Sequence, residues 1–313
     1  MERGQFVLRV AVPFMTAAVL LFAVGACSAR PTGSEQSNQL QNSLPTTSEH
    51  PSGYAHPSTR GLPSETGNAL ETEKSRLPVG GQFDYQLGGP YAPDDSVQAV
   101  GRDREAAPAE DLYSVCYVNA FQTQPSEEDL WNGDLLLRQD GEVLYDPNWP
   151  DEAIVDTSTS QKRQEILAVT TPWIEQCAID GYQGVEFDNL DSYARSQGLL
   201  SFDDNLALAQ ELVDAAHANG LAAGQKNAAE HSEALHEDAG FDFALTESCA
   251  YYGECGDYAA VYGSHVLDVE YSDEVVTEEF QGLCKNPDSP QGMVLRDRDL
   301  VTPDDPAYVF VTC

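Results

Sequence analysis

Residues 181–227 read GYQGVEFDNLDSYARSQGLLSFDDNLALAQELVDAAHANGLAAGQKN and contain the pattern that decides the fold. Two short apolar runs, Gly184–Phe187 and Leu221–Gln225, have the length and composition of buried strands. Between them, Ser201 and Asp204 form a capping-box pattern, and the apolar residues that follow recur at helical spacing up to an Asn-Gly pair. A strand, a helix and a second strand in this order predict two parallel strands joined by a crossover helix.

The same alternation continues through residues 81–313. A second helical stretch runs from about Ile166 to Asp180, where Pro172 is expected to kink or restart it. Eight strands in this α/β order predict a compact single-domain (β/α)8 TIM barrel. A doubly wound open sheet is the alternative, but no GxGxxG follows the first strand. The predicted strands are Phe83–Leu87, Val97–Val100, Ser114–Val118, Gly184–Phe187, Leu221–Gln225, Phe241–Thr246, His265–Glu270 and Met293–Arg296.

The charge of the chain excludes some partners. Its 313 residues include 16 Lys and Arg against 52 Asp and Glu, a formal net charge of −36. Nucleic acid requires a basic face and is therefore excluded as a favourable partner. Electrostatic binding to anionic lipid is disfavoured for the same reason. The acidity is typical either of a salt-tolerant, well-solvated surface or of a protein that attracts a cationic partner.

The N-terminus carries an export pattern. An apolar run at Val10–Ala26 contains Pro13 and is about 17 residues long, which favours a signal sequence over a spanning helix. It ends in VGAC, which resembles a lipobox. We therefore predict a lipoprotein signal peptide at residues 1–26 and lipidation of Cys27, the alternative being an ordinary secretory signal.

Residues 27–80 are rich in Ser, Thr, Pro, Gly, Asn and Gln and show no apolar periodicity. This composition predicts a disordered linker before the domain at residues 81–313. We expect an exported protein that is held at the outer face of the cell membrane by its lipid anchor only, or is secreted if the anchor is absent.

Six cysteines remain after Cys27, and an even number in an exported chain predicts disulfides. Cys249 and Cys255 enclose five residues and form the obvious local pair. Spacing alone leaves the pairing of the other four open. No CxxC and no HExxH occurs, so we expect no metal site and no cofactor.

Nearly every predicted strand ends on a residue that ionises or forms hydrogen bonds, and in a (β/α)8 barrel such residues line the active site. Carboxylates dominate, and glycoside hydrolysis requires a pair of them, one acid and one nucleophile or base. No GxSxG or Walker sequence supports a serine hydrolase or a nucleotide hydrolase. The candidate substrate-binding residues are Asp84, Tyr117, Glu186, Asn189, Asp191, Lys226, Asn227, Tyr251, Glu270, Tyr271, Arg296 and Asp297.

Four segments together resemble glycoside hydrolase family 114: GYQGVEFDNLDSY (181–193), GLAAGQKN (220–227), FDFALTESCAYYGEC (241–255) and VEY (269–271). That family comprises endo-α-1,4-polygalactosaminidases and relatives with a TIM-barrel fold. The resemblance extends from about Phe83 to Cys313. It implies the disulfides Cys116–Cys177, Cys249–Cys255 and Cys284–Cys313.

Residue by residue, the E-P-D-N-x-D pattern of the family falls on Glu186–Asp191, with Phe187 in place of Pro. The resemblance implies Asp188 and Glu247 as the catalytic pair. We provisionally assign Asp188 as nucleophile or base and Glu247 as acid, with the reverse open. The family's N-E-x-C pattern has Thr here instead of Asn, and its K-N-D pattern ends in Ala228, which leaves the substrate open.

The resemblance implies an endo-glycosidase that cleaves α-1,4-linked galactosamine-rich polysaccharide, and we expect it to be extracellular, from the export pattern, and monomeric. Its partner is then a cationic or amino-sugar polysaccharide, which the acidic surface would attract. Lys226 is expected to keep a neighbouring carboxylate ionised. The alternatives are a non-catalytic glycan-binding lipoprotein of the same fold and a hydrolase of another α-linked glycan. Retention and inversion of the anomeric centre both stay open.

Overall fold

The computed structural model describes residues 77–313 apart from Val79 and Ser126. The predicted signal peptide, Cys27 and nearly all of the predicted linker lie outside the described residues. Within the described residues, no helix is both long enough and apolar enough to cross a membrane.

Parallel strands form a barrel, as predicted. The strands are β1 (Gln82–Tyr85), β2 (Val97–Asp103), β3 (Tyr113–Asn119), β4 (Arg138–Gln139), β5 (Glu142–Val143), β6 (Gly184–Asp188), β7 (Ala222–Lys226), β8 (Phe243–Glu247), β9 (Val266–Tyr271), β10 (Gly292–Arg296) and β11 (Phe310–Thr312). Strands β1, β2, β3 and β6 to β10 are parallel and pair in chain order. Because β10 also contacts β1, the barrel is nearly closed, and β11 adds an antiparallel strand to β10. Each of the eight predicted strands overlaps one of these parallel strands.

Helices follow several of the strands. They are α1 (Ser160–Asp180), α2 (Ser192–Arg195), α3 (Phe202–Ala218), α4 (Ser232–Ala234), α5 (Cys249–Tyr252), α6 (Cys255–Tyr262) and α7 (Thr277–Leu283). The predicted capping box of α3 is confirmed, since Ser201 Oγ accepts from Asp204 N at 3.3 Å and Asp204 Oδ2 accepts from Ser201 N at 2.9 Å. Helix α1 is continuous through Pro172, so the helix does not restart there. Its buried face on both sides of the proline stabilises the uninterrupted helix.

The alternation of side chains along each strand divides the core in two. Val185 and Phe187 of β6 pack with the buried faces of the helices. Phe243 and Leu245 of β8 belong to a second cluster inside the barrel. The interior is narrow, because a Cβ atom on Gly224 would lie 2.5 Å from the Phe243 ring. Because Gly224 of β7 has no side chain, the Phe243 ring of the neighbouring strand β8 fits beside it inside the barrel.

A long excursion between β3 and α1, residues 120–159, was not predicted. It contains the short β4–β5 hairpin and three isolated bridges, among them Tyr145 with Ala153. Buried residues such as Trp131 and Ile154 pack the excursion onto the domain. It therefore forms part of the wall above the carboxyl ends of β3 and β6.

Three disulfides link these elements, in the pairs that the family resemblance implied. Cys116–Cys177 joins β3 to α1, Cys249–Cys255 joins α5 to α6, and Cys284–Cys313 joins the residue after α7 to the C-terminal residue. The local pair at 249 and 255 fixes the segment that follows the end of β8.

Candidate active site

The centre of the candidate site is the ammonium group of Lys226 at the end of β7. Its Nζ lies 3.4 Å from Asp188 Oδ1 and 3.0 Å from Glu247 Oε2, and the side chain is only 2% exposed. Burial lowers the pKa of Lys226, but the charges of Asp188, Glu247 and Glu186 raise it above its usual range overall. Lys226 is therefore a fixed positive charge between two carboxylates, which stand at the ends of β6 and β8 on either side of β7.

Glu247, the last residue of β8, is surrounded by donors. Asn227 Nδ2 donates to Glu247 Oε2 at 2.9 Å, and the Tyr271 hydroxyl donates to Oε1. Burial acts to raise the pKa of Glu247, but the charge of Lys226 and these hydrogen bonds lower it to about 2. Glu247 is consequently ionised at neutral pH in the free site, as was expected for a carboxylate beside Lys226.

Asp188, the last residue of β6, is held as firmly. Its Oδ2 accepts from the Tyr117 hydroxyl at 2.7 Å, and its Oδ1 accepts from the backbone N–H of Asn189 at 2.8 Å. Its side chain is 17% exposed, against 30% for Glu247. Both predicted catalytic carboxylates thus reach solvent at the same mouth of the barrel and share one cation.

Glu186 lies one layer deeper on β6 and is fully buried. Neither of its carboxyl oxygens has a hydrogen-bond partner among the described residues. Burial raises its pKa to about 8, against the opposing effect of the charge of Lys226. Glu186 is therefore mainly neutral at neutral pH, and Lys226 forms its ion pairs with the two carboxylates above it, Asp188 and Glu247.

The backbone is strained where these strands end. Asn189, Asn227, Ala228 and Ser248, which follow the three strands, have φ values of 61°, 51°, 64° and 58°. Left-handed backbone is unfavourable for residues such as Ala and Ser, and such strain clusters at functional sites. Here it turns the chain away directly after Asp188, Lys226 and Glu247, so that their side chains stay at the mouth.

Three of the predicted substrate-binding residues form a separate, sealed cluster. Arg296 Nη1 donates to Asp84 Oδ1 at 2.9 Å, and Arg296 Nη2 lies 3.7 Å from Asp297 Oδ2. The side chains of these three residues are 0%, 1% and 9% exposed. Arg296 also donates to backbone carbonyls of Tyr85, Val301 and Val309, which attaches the C-terminal segment to the barrel. The structure does not bring this cluster to the mouth beside Lys226.

Asn189 and Asp191 also have other partners, since Arg195 donates to Asn189 Oδ1 at 2.9 Å and to Asp191 Oδ2 at 2.7 Å. Glu270 is fully buried, and its Oε1 accepts from the backbone N–H groups of Ala250 and Tyr251. It orients helix α5 and is not exposed to a sugar.

Tyr251, in contrast, is 49% exposed on α5, four residues beyond Glu247. Its ring packs edge-on against that of Tyr252, with the centroids 5.0 Å apart. Such an exposed aromatic pair beside a carboxylate mouth is suited to stacking on a sugar face.

The sequence analysis missed Glu152, which lies in the excursion between β3 and α1. It is half-buried, and its Oε2 accepts from Asn119 Nδ2 at 3.2 Å. Asn119 ends β3 and is in register with Asp188. Burial and then the charge of Asp188 raise the pKa of Glu152 to about 7. No strand end or motif marks this residue in the sequence.

Among the described residues, one cluster has the spacing of metal ligands, namely Cys249, Cys255 and Asp268. Its two cysteines form a disulfide, so the cluster offers no thiolate to a metal.

Comparison with known proteins identifies the family. The family model described as glycoside-hydrolase family GH114 matches residues 64–313. No curated protein matches the chain.

Two solved structures share the fold. Ega3 from Aspergillus fumigatus, solved in complex with galactosamine, is 20% identical with a TM-score of 0.61, over 76% of this chain and 97% of that one. The glycoside hydrolase domain of PelA from Pseudomonas aeruginosa is 14% identical with a TM-score of 0.50, over 74% of this chain and 97% of that one.

Proposed function

The chain belongs to glycoside hydrolase family GH114, and from this we propose that it is an endo-glycosidase that hydrolyses α-1,4-linked galactosamine-rich polysaccharide. The observation that carries the proposal is the bridge from Lys226 to both Asp188 and Glu247 at the open end of the barrel. A pair of carboxylates at this position supplies the two groups that glycosidic hydrolysis needs.

The common contact with Lys226 limits the spacing of the pair. Because Lys226 Nζ lies 3.4 Å from one carboxylate oxygen and 3.0 Å from the other, those two oxygens are at most about 6.4 Å apart. This limit admits the separation of about 5–5.5 Å between the carboxyl groups of retaining enzymes, which inverting enzymes widen to about 6.5–9.5 Å to admit a water. We propose a double displacement through a covalent glycosyl-enzyme.

Donors fix both oxygens of each carboxylate, and we assign Asp188 as the nucleophile because it is the less exposed of the two. Glu247 is then the general acid and later the base. Since the pKa of Glu247 is about 2 in the free site, it has to gain a proton as the substrate enters and separates it from Lys226. Mass spectrometry of the protein after reaction with a fluorinated glycosyl fluoride checks this: a label on Asp188 supports the assignment, and a label on Glu247 reverses it.

The amino sugar is proposed from charge and from a structural neighbour. The chain has a net charge of −36, and a deacetylated galactosamine polymer is cationic, so the acidic domain attracts it. Ega3, which has the same fold, was solved with galactosamine.

Product release by the purified full chain tests the function. Deacetylated and partly acetylated α-1,4-galactosamine polymers, with a neutral α-glucan as the control substrate, are followed by mass spectrometry. We expect oligosaccharides from the amino-sugar polymers only. Products from the glucan would identify another α-glycan hydrolase, and salt-sensitive binding without products would identify a glycan-binding protein.

The substitution Asp188→Asn tests the site within the same assay. It should reduce turnover by at least about a thousandfold, because the nucleophile is lost while its shape is kept. Asp299→Asn is the matched control, since Asp299 is exposed beyond the last parallel strand and forms no contact with Lys226. Unchanged turnover in Asp188→Asn, or an equal loss in the control, would refute the assignment.

We also propose that the enzyme is exported and lipid-anchored through Cys27. The three disulfides of the domain support an oxidising environment outside the cytoplasm. Fractionation of cells that express the chain or its Cys27→Ala variant tests the anchor. The parent protein should be found with membranes and the variant should not.

A further inference from the structure

Glu152 faces the catalytic centre from a different element than the other carboxylates. It belongs to the excursion at residues 120–159, where its backbone is fixed by hydrogen bonds from Glu152 N to Trp149 O and from Asp146 N to Glu152 O, both 2.9 Å. Its side chain reaches Asn119, whose strand neighbour is Asp188. The charge of Glu152 acts on the Tyr117 hydroxyl, which donates to Asp188, and the charge of Asp188 acts on Glu152, so the carboxyl group lies on the Asp188 side of the mouth.

Glu152 lacks a cationic partner. Among the described residues, no Lys, Arg or His lies within salt-bridge distance of its carboxyl group. The two nearby cations are used elsewhere, since Lys226 pairs with Asp188 and Glu247, and Arg195 pairs with Asp146 and Asp191.

The groups that surround Glu152 are neutral or acidic. They are the amide of Asn119, the hydroxyl of Tyr117 and the carboxyl groups of Asp146, Asp151 and Asp188. A half-buried carboxyl group among like charges is unfavourable until a cation arrives. The mouth can therefore accept one cationic group beside Glu152, and no cationic side chain of the described residues occupies that position.

We infer that Glu152 binds the ammonium group of an amino sugar beside Asp188 and thereby makes the site select deacetylated polymer. The inference rests on the proposed function and assigns the specificity of that same site. An N-acetyl group in this place is neutral, so it would leave Glu152 without its counter-charge.

Binding should be coupled to a proton. With a pKa of about 7, Glu152 is partly protonated at neutral pH in the free site. The incoming ammonium stabilises the ionised form, so the carboxyl proton is released to solvent as the sugar binds. KM for the deacetylated polymer should therefore fall as the pH rises towards about 7, where Glu152 loses its proton before the sugar arrives, and should rise again at higher pH, where the sugar amines lose theirs.

Initial rates on deacetylated and N-acetylated α-1,4-galactosamine polymers test the inference with the full chain. In Glu152→Gln we expect KM for the deacetylated polymer to rise about tenfold or more, with kcat unchanged and the acetylated polymer little affected. The fall of KM towards pH 7 that comes from Glu152 should disappear as well. Asp151→Asn is the matched control, because it removes a neighbouring exposed charge from the same excursion and should preserve the preference.

Equal losses on the two polymers would overturn the inference. A fall in kcat alone would do the same, because it would show that Glu152 transfers a proton.

A binding measurement separates failure of this inference from failure of the proposed function. Calorimetry of galactosamine and N-acetylgalactosamine in two buffers of different ionisation heat counts the protons released near pH 6.5. Tighter binding of galactosamine with proton release, both lost in Glu152→Gln, supports the inference even if no polymer is cleaved. Equal binding of galactosamine by the parent protein and the variant refutes it.

Discussion

Two buried cations stand at strand ends of the same barrel and have opposite surroundings. Lys226 contacts two carboxylates whose side chains are 17% and 30% exposed. Arg296 contacts Asp84 and Asp297, which are almost fully buried, and donates its remaining N–H groups to backbone carbonyls. Each cluster pairs one cation with two carboxylates, but the first is open to solvent, whereas the second is closed and tied to the backbone by further hydrogen bonds.

The difference in exposure between these two ion-pair clusters shows which of them is suited to catalysis. A strand-end ion pair that is sealed and satisfied stabilises the fold only when both partners are present. A cation shared by two accessible carboxylates can change partners when a substrate enters. Accessibility of the carboxylates, more than the presence of ionisable residues, distinguishes the active mouth from the structural cluster.

Removing the open cation should have the largest effect. In Lys226→Met, kcat/KM at neutral pH should fall about a hundredfold or more, because the carboxylates lose their fixed counter-charge. The pKa of Glu247 should rise from about 2, since Lys226 is what lowers it most. The pH–rate profile measures both effects, and the alkaline limb, which reports deprotonation of the general acid Glu247, should move to higher pH. An alkaline limb that stays in place would show that Lys226 does not control Glu247.

Removing the closed cation should affect stability instead. Arg296→Met leaves the buried Asp84 without its cation, with only Gln86 and Tyr91 donating to it, which should lower the free energy of unfolding by about 3–5 kcal/mol. Urea unfolding measures this change, and kcat of the folded protein should be nearly unchanged. The double variant Arg296→Met with Asp84→Asn should recover part of the loss. A large fall in kcat with stability intact would place Arg296 in the active site.

The sequence was sufficient to predict the barrel, because each strand is a short apolar run and each boundary has its own signal. Ser201 and Asp204 mark the start of a helix by local hydrogen bonding, and Gly224 permits close packing of one strand on the next. Such information is contained in a few adjacent residues. The eight strands and the capping box could therefore be predicted without any tertiary contact.

The sequence could not separate the two clusters or find Glu152. Lys226 and Arg296 are both basic residues at strand ends, and only the closure of the C-terminal segment over Arg296 distinguishes them. Glu152 reaches the mouth through isolated bridges in an irregular excursion, which has no periodic pattern. Its position depends on contacts between residues far apart in the chain.

The buried acid beneath the open cluster should give a smaller, pH-dependent effect. Glu186 has a pKa of about 8 in the folded protein against 4.5 ordinarily, so the folded state binds more protons between these values. Stability from this group is full below about pH 4.5 and is lost as the pH rises through about 8. Glu186→Gln removes this dependence, so the variant should gain stability relative to the parent by up to about 3.5 kcal/mol between pH 5 and pH 8. Urea unfolding of the variant and the parent at both pH values measures this change. An equal difference in the free energy of unfolding at pH 5 and at pH 8 would contradict a neutral Glu186.

The smallest effect is expected at the rim of the open cluster, where Tyr251 can add contact area without taking part in the chemistry. Tyr251→Ala should raise KM for long polymers about two- to tenfold, because one stacking contact is lost, and should leave kcat and stability unchanged. Ile179→Ala is the control, since Ile179 is 76% exposed near the end of α1, at the opposite end of the barrel from the mouth. KM should rise for long polymers only, and neither short oligosaccharides nor the control variant should show the rise. That result would show that substrate contacts reach from the carboxylates to α5. Equal KM values for Tyr251→Ala and the parent would confine substrate contact to the carboxylates around Lys226.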